Sequence, residues 1–290
     1  MKKVKLHVLA EIGKGTFGKI YKCINKSTNK AFALKIENTI AKGVQGQIKT
    51  ECDIYKEFEN EFIAENIPWP RIYQFGAKSS IKGQNLLVMD LYGSNLDTIL
   101  KANVTLPGQT VAYIATKMIK LISIFHSKGY IHRDIKPQNF VIDVLQKPNI
   151  QTQIYLIDYG LAKKFSSKFN QAVSLKGTVR YTSINTHLGT DQYRRDDLQS
   201  ILHMLIYFLV GNLPWQNLMD SCKTKQEGYK AIMIKKMSTR IEDVLTDTLK
   251  EPILYFWIYV LNLSFDEIPD YVYLESLFTK AAKGFTNFSY

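Results

Sequence analysis

Residues 132 to 140 read H-R-D-I-K-P-Q-N-F, and this stretch decides how the rest of the chain is interpreted. Short apolar pieces stand on both sides of it, so it forms a charged loop. A carboxylate, an ammonium group and a carboxamide project from this loop, at Asp134, Lys136 and Asn139. These groups are suited to accept a proton, to contact a phosphate and to bind a metal ion. An exposed charged turn is the alternative interpretation.

Bulk composition indicates a folded chain without a membrane span. The 290 residues are 46% hydrophobic and 22% charged, which allows a sizeable core in one large domain or in two smaller ones. The longest apolar runs, residues 204 to 210 and 253 to 260, are too short to cross a bilayer. The N-terminus lacks the charged start and following apolar segment of a signal peptide, so we predict none.

Cysteine usage and net charge bear on location and partners. Cys23, Cys52 and Cys222 are scattered, which predicts reduced thiols and a cytoplasmic or nuclear location. The formal net charge of +12 favours acidic or phosphorylated partners. Basic residues are spread along the chain and no recognition motif appears, so binding to nucleic acid is not indicated.

The N-terminal part contains the glycine-rich sequence Gly13-Lys14-Gly15-Thr16-Phe17-Gly18. A G-x-G-x-x-G pattern by itself is a weak signal, because it also marks dinucleotide-binding folds, where the glycines open a helix. Here strand-like residues such as Ile12 and Ile20 stand on both sides. We therefore predict a β-hairpin whose glycines let the backbone approach phosphate groups.

A lysine in an apolar strand needs an anionic partner. Lys35 lies in the sequence Ala33-Leu34-Lys35-Ile36, and burying it unpaired would be costly. Helical periodicity over residues 48 to 58 places Glu51 on a helix, and Glu51 is our predicted partner for Lys35. Glu57 is the second candidate, and an ordinary solvated helix face is the alternative interpretation for Glu51.

Two further segments suggest a nucleotide site. Residues 86 to 89 predict a strand that leads into Asp90-Leu91-Tyr92-Gly93, a plausible hinge where backbone groups at Asp90 and Tyr92 would meet an adenine edge. A second strand, residues 154 to 157, ends at Asp158-Tyr159-Gly160. A carboxylate there, together with Asn139, supplies oxygen ligands of the kind that Mg²⁺ prefers.

The remainder is predicted to be mainly helical. Residues 161 to 176 are polar and basic, and we expect them to be mobile. His126, near the end of a long helix that Gly129 terminates, is predicted to be a packing residue with a satisfied hydrogen bond. The predicted helices span residues 109 to 128, 198 to 210 after Asp197, 229 to 236, 241 to 249, 252 to 263 and 270 to 278.

With these motifs, the chain resembles the casein kinase 1 family of eukaryotic protein serine/threonine kinases. Residues 178 to 197 read T-V-R-Y-T-S-I-N-T-H-L-G-T-D-Q-Y-R-R-D-D, with S-I-N where most kinases carry Ala-Pro-Glu. The resemblance covers about residues 8 to 287. It implies an α+β bilobal protein-kinase fold with a small N-terminal β-sheet lobe that holds one helix, and a larger, mainly helical C-terminal lobe.

The resemblance also implies boundaries, cofactors and substrates. We expect one kinase domain over residues 1 to 290, with an N-terminal lobe to about residue 90, a hinge at about 90 to 93, and a C-terminal lobe from about 94. ATP and Mg²⁺ are the implied cofactors. Proteins with acidic or phosphorylated residues upstream of a target Ser or Thr are the implied substrates, and we expect a monomer.

Roles for individual residues follow from the resemblance. Asp134 would accept the substrate proton, Lys136 would contact phosphate, and Lys35 would complete the catalytic set. Thr178 is expected to brace Asp134 and Lys136. Asn139 and Asp158 would be the metal ligands. The implied nucleotide-binding residues are Ile12, Gly13, Gly15, Gly18, Ile20, Ala33, Lys35, Glu51, Met89 as the gatekeeper, Asp90, Tyr92, Asn139 and Asp158.

Some positions depart from the family pattern. The metal-binding motif is D-Y-G rather than D-F-G, which keeps the carboxylate and changes packing. Arg180 and Lys225 are the predicted substrate anion site, but Gly228 stands where a lysine is usual, so a preference for phosphorylated substrates is expected to be weaker. The printed sequence stops just after the kinase region, so we expect no autoinhibition by a tail.

The motifs allow three activities for this chain. An active protein kinase is favoured because Lys35, Asp134 and Asp158 are all present. A pseudokinase scaffold, which binds nucleotide without catalysis, usually lacks one of them. A kinase for small molecules is disfavoured by the S-I-N segment.

Overall fold

A computed structural model describes residues 6–15, 18–37, 46–64, 67–76, 85–143, 152–165, 173–245 and 248–288. The chain divides into two compact units. The N-terminal unit comprises Met1–Ser94, Val141–Leu145 and Tyr155–Leu161. The C-terminal unit comprises Asn95–Phe140, Gln146–Ile154 and Ala162–Tyr290.

The N-terminal unit contains a sheet of five strands, which are β1 (Leu6–Gly15), β2 (Gly18–Asn25), β3 (Ala31–Glu37), β4 (Ile72–Gly76) and β5 (Leu86–Asp90). They are antiparallel and lie in the order β1-β2-β3-β5-β4. The unit's helix is α1 (Gln47–Ala64). The core on one face of the sheet contains Cys23, Phe32, Leu34, Leu86 and Val88.

The two faces of strand β3 carry different kinds of side chain. Phe32 and Leu34 lie in the core cluster. Side chains alternate across a strand, so Ala33, Lys35 and Glu37 lie on the opposite face. This alternation explains how an apolar strand presents a charged lysine without placing it in the core.

Four short strands form two further pairs. β6 (Tyr130–Ile131) pairs with β9 (Lys163–Lys164), and β7 (Phe140–Ile142) pairs with β8 (Ile154–Leu156). The loop of residues 132 to 139 therefore lies between two strands, as the flanking apolar pieces predict. Of the segment that we expected to be mobile, residues 166 to 172 lie outside the described residues.

The C-terminal unit is mainly helical, with α2 (Leu96–Asn103), α3 (Gly108–Ser127), α4 (Ile184–His187), α5 (Arg194–Val210), α6 (Lys225–Ser238), α7 (Ile241–Val244), α8 (Lys250–Asn262) and α9 (Tyr271–Ala282). Every residue of α5 from Asp196 to Phe208 is buried. A helix that is buried on all sides is a central one. No helix among the described residues has the length and apolar character needed to cross a membrane.

The sheet followed by helices confirms the predicted α+β fold class, but some predicted helix boundaries are wrong. Helix α5 begins at Arg194, before Asp197, because the Asp196 carboxylate accepts a hydrogen bond from the Tyr193 N–H at 2.7 Å and caps the helix start. Helix α6 begins at Lys225, because Thr224 and Glu227 form a capping box. Helix α7 ends at Val244 rather than at residue 249.

Candidate active site

The first group of site residues lies in the N-terminal unit and centres on Lys35. The Nζ atom of Lys35 donates to Glu51 Oε2 and to Asp158 Oδ1, at 2.7 Å in each case. The predicted pairing of Lys35 with Glu51, rather than with Glu57, is therefore present. The contact with Asp158 was not predicted, because the two residues are far apart in sequence.

Two carboxylates keep Lys35 charged. Burial alone would lower the pKa of Lys35, but the charges of Asp158 and Glu51 outweigh burial and raise that pKa above its ordinary value. Glu51 is buried, and Tyr55 Oη also donates to it at 3.2 Å. An ammonium group held in this way is ready to meet another anion, such as a phosphate.

A second connection between β3 and α1 fixes the position of Glu51. Glu37, also buried, accepts hydrogen bonds from the Gln47 backbone N–H at 2.7 Å and from Asn85 Nδ2 at 3.1 Å. Lys35 and Glu37 are two residues apart on a strand, about 6.6 Å. Gln47 and Glu51 are four residues apart on a helix, about 6 Å. The two spacings match, so both connections form together.

The segment Asp158-Tyr159-Gly160 is held against α1. Asp158 has φ of 66°, in the left-handed region that is uncommon for a residue other than glycine. Tyr159 is buried, lies edge-on to Tyr55 with ring centroids 5.2 Å apart, and donates from its hydroxyl to the Leu156 carbonyl at 3.0 Å. The tyrosine of D-Y-G therefore adds a hydrogen bond as well as packing.

The glycine-rich stretch forms the predicted hairpin. β1 pairs with β2 so that Gly13 faces Ile20 and Gly15 faces Gly18, while residues 16 and 17 at the tip lie outside the described residues. A Cβ atom on Gly18 would lie 2.1 Å from the Ile36 carbonyl oxygen, so only glycine fits there. Ile12, on β1, is exposed.

Residues predicted to meet the adenine lie on and after β5. Met89 is buried and pairs with Ala33 of β3 in the strand register. The N–H of Asp90 donates to the Arg71 carbonyl at 3.1 Å, so it is already engaged. The ring of Tyr92 packs on Tyr155, with centroids 4.6 Å apart. Because the N–H of Asp90 already has a partner, only its carbonyl remains a candidate contact for adenine.

The second group of site residues lies in the C-terminal unit and centres on Asp134. Its Oδ1 accepts a hydrogen bond from Thr178 Oγ1 at 2.8 Å, and its Oδ2 accepts one from Lys136 Nζ at 2.5 Å. Asn139 Nδ2 donates to the backbone carbonyl of Asp134 at 2.9 Å. Two side chains thus hold the carboxylate of Asp134 and a third holds its backbone, and the predicted bracing of Asp134 by Thr178 is present.

The loop of residues 132 to 139 is held by the buried carboxylate of Asp197, which sequence reasoning assigned only to a helix start. Asp197 accepts hydrogen bonds from the backbone N–H groups of His132 and Arg133, at 2.7 and 2.9 Å, and from His126 Nε2 at 2.9 Å. Burial would raise the pKa of Asp197, but His126 and His132 hold it below its ordinary value. Tyr271 contacts the other nitrogen of His126 at 2.7 Å, so this histidine is a bonded packing residue as predicted.

A buried lysine fixes the segment that carries Thr178. Lys236 Nζ donates to the carbonyl oxygens of Val179 and Thr182 at 2.9 and 2.6 Å, and lies 3.3 Å from His187 Nε2. Lys236 is fully buried, and burial lowers the pKa of its amino group well below the ordinary value. Sequence reasoning placed Lys236 only at the end of a predicted helix, because burial cannot be read from a basic pair.

The predicted metal ligands belong to different units. Asn139 is in the C-terminal unit, where its amide nitrogen is used by Asp134 and its amide oxygen is left as the ligand atom. Asp158 is in the N-terminal unit, where one of its oxygens binds Lys35. A carboxylate and an amide oxygen fit Mg²⁺, and their joint use of one ion stays a prediction.

The predicted anion site has two described members. The guanidinium group of Arg180 lies over the rings of Tyr181 and Tyr207, 5.9 and 5.7 Å from their centroids. Lys225 is exposed in the first turn of α6. Gly228 is buried on the same helix, and a Cβ atom there would lie 3.0 Å from Met219 Cγ. A longer side chain at this position would have to displace Met219.

Comparisons with known proteins identify the family of this chain. The protein kinase domain family matches residues 6–266. Over 286 residues, 95% of this chain, the sequence is 38% identical to Casein kinase I homolog 3 of Schizosaccharomyces pombe, and the chain spans 61% of the length of that relative. The relative supports the resemblance to casein kinase 1. On the family match, this chain belongs to the protein kinase domain family.

Proposed function

We propose that the chain is a protein serine/threonine kinase of the casein kinase 1 type, which transfers the γ-phosphoryl group of ATP to Ser or Thr hydroxyls. The observation that carries the proposal is the Asp134 carboxylate, which Thr178 and Lys136 hold from both sides. A carboxylate fixed in this way can orient a substrate hydroxyl and accept its proton.

Each group of residues has its own task in this reaction. Lys35, kept charged by Glu51 and Asp158, would bind the phosphates of ATP and neutralise charge as the γ-phosphoryl group leaves. Lys136 would contact the transferred phosphoryl group beside Asp134. Asp158 and Asn139 would hold Mg²⁺, which when bound neutralises phosphate charge. Positioning and charge therefore provide most of the catalysis.

Substrate choice is proposed to depend on Arg180 and Lys225. Both are basic, neither is buried, and the chain has a net charge of +12, which favours acidic or phosphorylated proteins. Gly228 replaces a lysine that the family resemblance leads us to expect, so this preference is proposed to be weaker than in typical members. Lys136 supports Ser or Thr rather than Tyr as the acceptor.

The pseudokinase alternative is less well supported. Such a scaffold usually lacks one of the residues corresponding to Lys35, Asp134 and Asp158. Here all three are present, Lys35 pairs with Asp158, and Asp134 is bonded by Thr178 and Lys136.

The test is phosphate transfer from radiolabelled ATP to casein in the presence of Mg²⁺. We expect the wild type to transfer phosphate and Asp134→Asn to lose at least about a hundredfold in kcat, because the base is removed while the fold is kept. Equal background incorporation by the two proteins would sink the kinase proposal. For the anion site, Arg180→Ala should raise KM for a phosphorylated peptide more than KM for its Glu-containing counterpart, and equal changes would remove that role.

A further inference from the structure

Exposed apolar side chains are concentrated on α8, on α9 and on the connection between them. In the part of the chain that the structure describes, six large hydrophobic residues are exposed between residues 255 and 273, namely Tyr255, Ile258, Leu261, Ile268, Val272 and Tyr273. Single exposed apolar residues are normal, whereas a contiguous group marks an interaction site.

Several of these residues line one concavity, which we call the α8–α9 groove. Tyr255, Ile258, Tyr259 and Asn262 follow one face of α8 at helical spacing, and Tyr273 of α9 completes an open groove of about 330 Å³. The opposite face of α8 is buried, through residues such as Phe256. The groove is large enough for one or two bulky apolar side chains.

The groove is already formed by hydrogen bonds of its own. Tyr259 Oη accepts from the Asp270 N–H at 2.6 Å, and its ring lies 5.4 Å from that of Tyr273. Asn262 Nδ2 donates to the Ile258 carbonyl at 2.8 Å. Because these polar groups have partners within the chain, the surface that remains for a ligand is mainly apolar, and little ordering is needed on binding.

The segment that forms the groove carries a charge opposite to that of the whole chain. Residues 251 to 279 contain no Lys or Arg in a chain of net charge +12. Glu267 lines the groove itself. Arg194 and Arg195 of α5 donate to the carbonyl oxygens of Asp266 and Leu263 at 2.9 and 2.8 Å. The acidic residues of the segment outnumber these two arginines, and a net negative charge favours cationic partners over anionic ones. The acidic residues of this stretch are Glu251, Asp266, Glu267, Asp270 and Glu275.

We propose that the α8–α9 groove docks an amphipathic segment of a protein partner, with apolar side chains on one face and Lys or Arg beside them. An amphipathic helix laid in an apolar groove is a known recognition mode, and the basic flank supplies the charge complement. None of the residues assigned to phosphoryl transfer lines this groove, so docking is separate from the chemistry.

The test uses a defined probe and the whole chain. The probe is a fluorescein-labelled peptide of about twelve residues, with Leu at helical i, i+3, i+4 and i+7 positions and Lys elsewhere. Two control peptides have the same Leu and Lys residues scrambled, or Glu in place of Lys. Fluorescence anisotropy is measured for the wild type, Ile258→Ser and Ile234→Ser. Ile234, on α6, is a matched control, because it is 52% exposed and Ile258 is 50% exposed.

We expect saturable binding to the wild type and to Ile234→Ser, with Kd equal within about twofold, and at least about tenfold weaker binding to Ile258→Ser. Both control peptides should bind at least about tenfold more weakly than the probe. Glu267→Gln should weaken binding and reduce its dependence on salt, because one rim charge is lost.

Three results would overturn the proposal. Equal Kd for Ile258→Ser and Ile234→Ser would place the peptide elsewhere. Equal binding of the scrambled peptide would indicate charge attraction alone. A concentration-dependent dimer in light scattering, lost in Ile258→Ser, would show that a second copy of this chain covers the groove.

Discussion

Replacing Thr178 by valine removes one hydrogen bond from the Asp134 carboxylate, the proposed catalytic base, and keeps the branched shape. Thr178 Oγ1 donates to Asp134 Oδ1 at 2.8 Å, and the only change at that oxygen is the loss of this donor. A hydrogen bond to a charged group contributes about 1.5–3 kcal/mol. If the whole contribution is needed in the transition state, kcat falls about 10- to 150-fold, since each 1.36 kcal/mol is tenfold.

The assay is steady-state phosphorylation of a peptide at saturating ATP, with the folded fraction checked by thermal unfolding. Thr116→Val is the matched control, because Thr116 Oγ1 makes a hydrogen bond of the same 2.8 Å length to the Tyr113 carbonyl on α3. We expect kcat of this control to stay within about twofold of the wild type. Thr178→Ser restores the hydroxyl and should recover most of the lost rate.

A folded Thr178→Val variant that keeps kcat within about twofold of the wild type would refute the role of this hydrogen bond. A Thr178→Ser variant as slow as Thr178→Val would also refute it, because the hydroxyl would then not be the group that matters. A change in KM for ATP without a change in kcat would point to nucleotide binding rather than to orientation of Asp134.

Three further predictions concern residues that hold the site in place. Glu37→Leu should lower Tm and raise KM for ATP, because two partly buried donors lose their acceptor and one of the two connections between α1 and β3 is lost. Glu37→Gln should keep most of the Tm and of the ATP affinity, and a leucine variant with unchanged KM would refute the link. Lys236→Met should lower Tm by several degrees more than Lys235→Met, because it leaves two carbonyl oxygens without their donor at about 1–3 kcal/mol each; equal Tm values in differential scanning fluorimetry would contradict this. Gly228→Lys should lower KM for a phosphorylated peptide and leave that for its unphosphorylated form unchanged, at little cost in stability, because helix propensity offsets the displacement of Met219; an unchanged phosphopeptide KM would remove Gly228 from substrate choice.

Local patterns were sufficient wherever neighbours in sequence are also neighbours in space. Alternating residues around the glycines predicted a hairpin, and the hairpin is present because strand pairing across a short turn is local. Because Lys35 in an apolar strand needs an anionic partner, Glu51 could be predicted as that partner, and the ion pair is present. Helix starts were predicted less well, since Asp196 and Glu227 cap α5 and α6 before their apolar runs begin.

The sequence by itself was enough to predict the chemistry that we propose for this chain, because the order H-R-D-I-K-P-Q-N-F, the lysine of β3 and the D-Y-G turn each need only a few adjacent residues to be recognised. Beyond Glu51 and Thr178, which the sequence predicted, only the tertiary structure identified the further residues that hold those groups in place. Glu37, Asp197 and Lys236 are polar residues whose partners are distant in sequence or are backbone groups. Burial turns such residues from surface charges into supports, and burial is a property of the folded chain, not of a motif.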